Sequence, residues 1–145
     1  MPQETSKQSP QESPKAMSVD GAPRGALTVR IIAMPADTNA NGDIFGGWVL
    51  SRMDQAGGIA GVERARGRVV TVAIDAMQFI RPVRVGDVLE VYTEVESIGR
   101  TSMNIHVEAW AMRFQTHTRE QVTQAMFKFV AIDEAGKPRP IPKEV

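Results

Sequence analysis

One helix-like segment stands among strand-like segments in this chain, and this imbalance limits its possible folds more than any other feature. Residues 44–66 place apolar side chains such as Phe45, Trp48 and Val49 at three-to-four spacing, which favours a helix. Residues 27–34 before it form one strand-like run, and four long segments after it alternate apolar and polar side chains. Successive strands joined by short turns pair antiparallel. The order therefore predicts five antiparallel strands and one long helix.

The clearest alternation lies in residues 101–111. The side expected to face the core consists of Thr101, Met103, Ile105, Val107, Ala109 and Ala111. The side expected to face outward consists of Ser102, Asn104, His106 and Glu108. One helix cannot cover both faces of such a sheet, so we expect part of the second face to be buried against another copy of the chain. A sheet curled around a single central helix is the α+β architecture called the hotdog fold.

Three glycines interrupt the predicted helix at Gly57, Gly58 and Gly61. Each glycine in a helix interior costs about 1 kcal/mol relative to alanine. Close approach of another backbone would compensate for this cost, because a glycine leaves room there. The alternative is that the helix ends near Gly57.

The first 25 residues differ in composition from the rest of the chain. Residues 1–25 are rich in Pro, Ser, Gln and Glu and contain almost no side chains to bury, which predicts a disordered tail. Glu4 and Glu12 and the lack of an amphipathic pattern argue against a targeting segment. We therefore expect a tail at 1–25, one domain at 26–145, and the cytosol as the compartment.

Composition excludes several classes of protein. Lys+Arg and Asp+Glu both number 17, so no global field attracts nucleic acid or an anionic membrane. Cysteine is absent, which removes thiolate nucleophiles and cysteine-based metal sites. The only histidines are His106 and His117, too few for a multi-histidine metal centre, and both are expected to be ordinary surface residues. No apolar run approaches the roughly 20 residues of a membrane helix.

The junction between residues 39–45 and the helix is the first candidate for chemistry. Asp43 precedes a helix that opens with Gly46 and Gly47. Free amides at a helix start attract developing negative charge, and glycines let a substrate carbonyl approach them. A carboxylate there can activate water. The alternative is that Asp43 simply caps the helix, a role worth about 1 kcal/mol.

Other candidates are more scattered. Asp54 lies about three turns into the helix, beside an apolar stripe where an unpaired carboxylate is costly; the alternative is a place on the exposed edge of that stripe. The turn around Arg100, Thr101 and Ser102 combines a guanidinium, two hydroxyls and turn amides that suit a phosphate. Further basic residues near strand ends are Arg81, Arg84 and Lys137.

The sequence also resembles a known family. The run MPADTNANGDIFGGWVLSRMDQAGG is similar to the signature of YciA-like bacterial acyl-CoA thioester hydrolases, which are hotdog proteins related to the brain acyl-CoA hydrolases. The resemblance continues through GRVVTVAIDAMQFIRPVRVGDVLEVYTEVESIGRTSMNIHVEAW to FKFVAIDEAGKPRPIP and covers residues 27–142.

The resemblance implies an activity and a set of roles. Asp43 stands where the family places its active-site acid, the amides at Gly46 or Gly47 would polarise the thioester carbonyl, and Asp54 would be a second acid supplied by the facing subunit. Asn39, in the same motif, would contact the substrate.

Coenzyme A would bind at a subunit interface, as part of the substrate rather than as a cofactor. Its phosphates would meet Arg81 and the residues Arg100, Thr101 and Ser102. Family members are commonly trimers of dimers. Two alternatives stay open: a hotdog hydratase acting on enoyl thioesters, and a non-catalytic acyl-CoA sensor.

Overall fold

The predicted five antiparallel strands and one long helix are confirmed, with one short strand added. The structure, a computed structural model, describes residues 17, 18 and 20–144. Its strands are β1 (Met17–Ser18), β2 (Ala26–Ile32), β3 (Val69–Ile74), β4 (Val88–Ile98), β5 (Ser102–Met112) and β6 (Thr118–Ala131). The helix α1 spans Gly46–Ala65, and a single 3-10 turn spans Pro35–Asp37.

The strands form one sheet in the order β1-β6-β5-β4-β2, with β3 also pairing with β6. The five long strands pair antiparallel, whereas β1 runs parallel to β6. The short β1 lies beside Thr118 and Arg119, and β3 lies beside residues 127–131 of the same strand. Each of β2 and β3 therefore has one side without a partner strand among the described residues.

Helix α1 lies against the inner face of the sheet and continues through its glycines. A Cβ atom on Gly57 would lie 2.8 Å from the Phe129 ring, and one on Gly61 would lie 3.2 Å from a Val69 methyl group. A Cβ on Gly58 would meet nothing within 4 Å. The prediction that another backbone approaches these glycines is therefore wrong: side chains of the sheet approach Gly57 and Gly61, and nothing lies within 4 Å of a Cβ on Gly58. The alternative of a break near Gly57 is wrong.

The core lies between α1 and the inward-facing residues of the sheet. Its largest fully buried apolar side chains on that side are Phe127, Phe129, Met53, Leu89, Met103, Ile105, Val49, Val91, Val107 and Val122. Full burial of one such side chain is worth about 1.5–3 kcal/mol. This packing holds the start of α1 in place.

The outer face of the sheet, which points away from α1, is more buried than predicted. His106 is 8% exposed, and the Glu108 carboxylate lies 2.8 Å from its Nε2 atom. The same carboxylate accepts hydrogen bonds from Trp110 Nε1 at 2.8 Å and from the Arg24 backbone N–H at 3.2 Å. The surface prediction for His106 is wrong, because Glu108 gives the ring a buried partner on this face.

A second ionic cluster lies on the same face around Glu90, which is 2% exposed. Its carboxylate accepts from Arg119 Nε at 2.8 Å, from Arg30 Nε at 3.1 Å and from the Tyr92 hydroxyl at 3.3 Å. Burial raises the pKa of Tyr92, and the negative Glu90 raises it further. The hydrogen bond to Glu90 raises the pKa of the Arg119 guanidinium. Polar groups on this face are thus paired with one another.

Part of the predicted tail lies along the sheet. Asp20 Oδ2 accepts a hydrogen bond from the Gln121 backbone N–H at 2.9 Å, and the Arg24 backbone binds Glu108 as described above. Asp20 and Arg24, which the sequence assigned to the tail, therefore have hydrogen-bond partners on strands of the sheet. Residues 1–16 and 19 lie outside the described residues.

Candidate active site

The 39–43 loop before α1 is organised by one asparagine. The Asn39 side-chain oxygen accepts hydrogen bonds from the Asn41 backbone N–H at 2.9 Å and the Asp43 backbone N–H at 3.1 Å. The Asn39 backbone N–H donates to the Asp43 carbonyl at 2.8 Å. Gly42 has φ +82°, a left-handed conformation that favours glycine. These bonds determine the direction of the backbone at Asp43.

The helix itself starts two residues later than a cap at Asp43 would require. Its N-cap residue is Phe45, whose carbonyl accepts from the Trp48 N–H at 3.0 Å, and no side chain caps it. The capping interpretation of Asp43 is therefore wrong. The amides of Gly46 and Gly47 belong to the first turn, which has no intrahelical acceptors, and the described residues supply no other.

The Asp43 carboxylate is exposed and accepts no hydrogen bond from any side chain or backbone group in the described part of the chain. It stands three residues before Gly46, whose amide is free. An unpaired base and unpaired donors thus lie at the same end of the helix. Such a pair can deprotonate water and stabilise an oxyanion.

Two aromatic rings border these amides. A Cβ on Gly46 would lie 3.1 Å from the Phe79 ring, and one on Gly47 would lie 3.5 Å from the Phe45 ring. Both phenylalanines are 46% exposed. Gly46 and Phe79 also line a cleft of about 370 Å³ whose wall includes Arg81. The glycines leave the amides accessible beside an apolar rim.

Arg81 faces this cleft but is already engaged. Its Nη1 and Nη2 atoms donate to the two carboxylate oxygens of Asp20 at 2.6 and 3.0 Å. Nη1 also donates to the Gln121 carbonyl at 3.1 Å. A two-point contact of this kind is the one a guanidinium makes with a phosphate.

The turn carrying Arg100, Thr101 and Ser102 lies at the opposite end of α1. The Thr101 carbonyl accepts from the Ala131 N–H at 2.9 Å. Arg139 connects this turn to the C-terminal end of α1. Its backbone N–H donates to the Ala131 carbonyl and its Nη2 atom donates to the carbonyl of Ala65, the last helix residue, both at 2.9 Å. A helix of 20 residues is about 30 Å long. One chain therefore does not bring this turn to Asp43.

Asp54 lies along the flank of α1 that faces β3. Its Oδ1 atom accepts a hydrogen bond from the Thr71 hydroxyl at 2.6 Å, and its side chain is half-buried. Eight residues separate it from Gly46, about 12 Å along the helix axis. The two acids are therefore apart within one chain, and Asp54 is partnered whereas Asp43 is not.

Phe79 and Asp20 are neighbours of the site that the sequence did not suggest. The signal for Phe79 was the apolar pair Phe79-Ile80 directly before Arg81 and Pro82. Asp20 carried no local signal, because its partner is 61 residues away. Within the described residues, no group of three or more His, Asp or Glu side chains is arranged to hold a metal ion, and no helix is long and apolar enough to cross a membrane.

Comparison with known proteins decides the family. The sequence profile of the Thioesterase superfamily matches residues 41–112. The chain is 49% identical to acyl-CoA thioester hydrolase YciA of Salmonella typhimurium over 128 residues, covering 86% of this chain and 96% of that protein. It is 50% identical to YciA of Escherichia coli over 125 residues, covering 84% and 95%. The chain belongs to the acyl-CoA thioester hydrolases of the thioesterase superfamily.

Solved structures agree with this family and with the predicted hotdog fold. HI0827, a hexameric broad-specificity acyl-coenzyme A thioesterase, superposes with a TM-score of 0.84 at 48% identity, covering 88% of this chain and 89% of that one. The hexameric thioesterase y2039 of Yersinia pestis gives 0.81 at 50% identity, covering 85% and 100%. A hexameric hotdog-fold thioesterase of Campylobacter jejuni gives 0.77 at 40%, covering 81% and 91%.

Proposed function

We propose that this enzyme hydrolyses acyl-coenzyme A thioesters with Asp43 as the general base and the amides of Gly46 and Gly47 as the oxyanion site. The observation that carries the proposal is the unpaired Asp43 carboxylate beside unpaired amides at the start of α1. The activity itself accords with relatives that are named acyl-CoA thioester hydrolases and are about half identical to this chain.

In this mechanism the thioester carbonyl oxygen accepts hydrogen bonds from the glycine amides, which makes its carbon more electrophilic. Asp43 takes a proton from a water molecule as that water attacks the carbon. The tetrahedral oxyanion then collapses, the carbon–sulfur bond breaks, and the sulfur leaves as thiolate or takes the proton back from Asp43. The products are a carboxylate and free coenzyme A. The reaction uses water and substrate alone, with no separate cofactor.

Release of free thiol tests the activity directly. Purified protein is mixed with acetyl-, butyryl- and palmitoyl-CoA, and the thiol is measured with a thiol-reactive dye. A hydrolase releases thiol, a hydratase changes enoyl absorbance without releasing it, and a sensor does neither. Absence of thiol with every chain length would contradict the proposal, and the panel also measures chain-length preference.

We further propose that the active unit is a dimer formed through β3 and the exposed side of α1. Val72 on β3 is 51% exposed, and Ile59 and Val62 on α1 are each 45% exposed. Gly58 lies on the same helix and leaves open space above it. A second copy that added its own β3 to this sheet would cover these side chains and place another helix against Gly58.

The dimer would also explain the separation of the predicted site residues. Asp54 lies on the flank facing β3, so it would point toward the partner, and the turn at Arg100 of one chain would approach the Arg81 side of another. Arg81, Arg100, Thr101 and Ser102 would then hold the phosphates of one coenzyme A. Relatives described as hexamers support a hexameric assembly, and three such dimers would form it.

Mixing two inactive variants tests the shared site. Asp43→Asn and Asp54→Asn are each expected to lose turnover, and subunit exchange between them should create sites with both native acids and restore part of the activity. Light scattering should give a mass that is an even multiple of the chain. A mixture that stays inactive after verified exchange, or a fully active Asp54→Asn, would contradict the shared site without affecting the assignment of Asp43.

A further inference from the structure

A large groove runs between β2 and the flank of α1 that is turned away from Asp54. Its volume is about 660 Å³. Its apolar wall includes Ile31, Ile32, Met34 and Val88. Two helix residues four positions apart, Trp48 and Arg52, form the opposite wall. The groove therefore combines an apolar wall with two arginines, Arg30 and Arg52, and one carboxylate, Asp37.

Arg52 has an unusual environment in this groove. Its Nε atom is buried and is the one buried side-chain polar atom without a hydrogen-bond partner in the described part of the chain. Its guanidinium carbon lies 5.8 Å from the centre of the Trp48 ring, and Nη2 donates only to the Ser51 hydroxyl, at 3.3 Å. No carboxylate of the described residues forms an ion pair with it. A buried cationic donor left without an acceptor is costly.

The other charged residues of the groove, Arg30 and Asp37, form no ion pair with Arg52. Arg30 is paired with Glu90 at 3.1 Å. Asp37 Oδ2 accepts the Met34 backbone N–H at 3.0 Å, an interaction within its own turn. Arg52 thus has no ion-pair partner among the described residues, and it lies next to apolar side chains of which Ile32 is 53% and Met34 54% exposed.

We propose that this groove binds a medium-chain carboxylate, with the carboxylate group on the Arg52 guanidinium and the alkyl chain along Ile31, Ile32 and Met34. A carboxylate supplies acceptors that the guanidinium lacks within the described part of the chain, where Nη2 donates only to Ser51. The alkyl chain covers apolar surface that is otherwise exposed to water. A nucleotide fits less well, because the Trp48 ring is 9% exposed and lies beneath Arg52, where it cannot stack on a base.

The ligand belongs to the chemical class that thioester hydrolysis releases, so the groove would retain or sense product at a place distinct from Asp43. Binding in the groove does not depend on the reaction. A failure of the proposed hydrolysis and a failure of this site would therefore be seen in separate measurements.

Decanoate below its micelle concentration is the probe, and its binding is measured by calorimetry on the intact oligomer. Saturable binding is expected for the wild type. Affinity should fall at least tenfold in Arg52→Gln and by a smaller factor in Arg52→Lys, because lysine keeps the charge but loses the two-point contact. The control Arg84→Gln removes an exposed guanidinium outside the groove and should bind as the wild type does. Decanol, which has the same chain without the charge, should bind at least tenfold more weakly than decanoate.

Equal binding by Arg52→Gln and wild type, or equal binding of decanol and decanoate, would overturn the proposal. Thermal unfolding checks that Arg52→Gln is folded. If it is not, Ile32→Glu provides the same test, because it adds a repelling carboxylate at an exposed position on the groove wall and should also weaken decanoate binding at least tenfold. Absence of decanoate binding to the wild type, with dissociation of the oligomer in Ile32→Glu, would mean that the groove is an interface between copies.

Discussion

Polar groups at the start of α1 are unpaired in the described part of the chain, whereas polar groups on the outer face of the sheet are paired with one another. At the helix start, the Asp43 carboxylate and the amides of Gly46 and Gly47 have no partners among the described residues, and they are bordered by half-exposed aromatic rings. On the outer face, Glu90 and Glu108 are almost fully buried, and each carboxylate has three polar partners.

The difference separates polar groups that hold the fold from those available to a substrate. A buried charge is tolerated only when it is paired and hydrogen-bonded, so the two glutamates must be satisfied by the chain itself. Exposed groups at the helix start can remain unpaired because water satisfies them until a substrate replaces it. Mutations in the first region should therefore change turnover, and mutations in the second should change stability.

The largest expected effect is on turnover, in Asp43→Asn. The amide cannot take a proton from water, so kcat should fall by about a hundredfold or more. The melting temperature should stay close to that of the wild type, because the carboxylate has no hydrogen-bond partner among the described residues. Thiol release and thermal unfolding are measured together, with Glu134→Gln as a control for loss of an exposed carboxylate. A near-native kcat would contradict the assignment, and a large loss of stability would mean that Asp43 has a structural role.

Glu108→Leu should lower stability and leave turnover unchanged. It leaves the Trp110 indole, the His106 ring and the Arg24 N–H without their acceptor, so the free energy of unfolding should fall by about 3 kcal/mol. Urea denaturation measures this, with Glu134→Leu in an exposed turn as the control. Since Glu108 lies on the face of the sheet that points away from α1, kcat of the folded fraction should be unchanged. Equal stability of the two variants would contradict the proposed division between the regions.

Asn39→Ala tests whether the backbone of the 39–43 loop positions Asp43, because the Asn39 side chain binds the Asn41 and Asp43 backbone N–H groups. Loss of its two side-chain hydrogen bonds should allow Asp43 to move and lower kcat about tenfold, with little change in KM. Asn39→Asp keeps an oxygen acceptor for both N–H groups and should recover most of the turnover at pH 8. If Asn39→Ala raises KM at constant kcat, Asn39 contacts the substrate directly, as the family resemblance implies.

A smaller effect is expected from Asp20→Asn. Without the carboxylate, the Arg81 guanidinium is free to bind a phosphate of coenzyme A. KM for acyl-CoA should therefore fall about threefold at low salt, which is the effect expected from removing a partly exposed ion pair. The difference should shrink at 1 M salt because the charges are screened. An unchanged or higher KM at low salt would indicate that Asp20 orders the segment without competing for Arg81.

The smallest effect concerns alkaline stability and Tyr92. Burial and Glu90 raise the pKa of Tyr92 above its ordinary value. The contribution of the Tyr92 hydroxyl to folding stability is therefore complete below the unfolded pKa of about 10 and is lost as the pH rises through the higher pKa of the folded state. The free energy of unfolding of Tyr92→Phe should be about 0.5–1 kcal/mol lower than that of the wild type at pH 7. Between pH 9 and 11 it should decline less than that of the wild type. Urea denaturation at each pH measures the free energy of unfolding of both proteins. If this free energy declines equally in the two proteins, ionisation of Tyr92 is not a cause of the alkaline loss of stability.

Local patterns were enough to predict the elements of this protein and the position of its candidate acid. Alternation with period two predicted the strands, three-to-four spacing predicted α1, and Asp43 followed by Gly46 and Gly47 marked the candidate site. These features depend on neighbours within a few residues, and backbone geometry converts such spacing directly into faces of a strand or helix.

Only the tertiary structure decided which of the polar groups are paired. The sequence placed His106 at the surface, Asp43 in a possible cap and residues 20–25 in a tail, whereas contacts across the sheet bury His106 beside Glu108 and hold Asp20 on Arg81. Partners such as Arg24 and Glu108 are 84 residues apart. Their pairing follows from strand order and register, which no local pattern encodes, and the burial of a charge depends on that pairing because solvent is excluded only when distant segments meet.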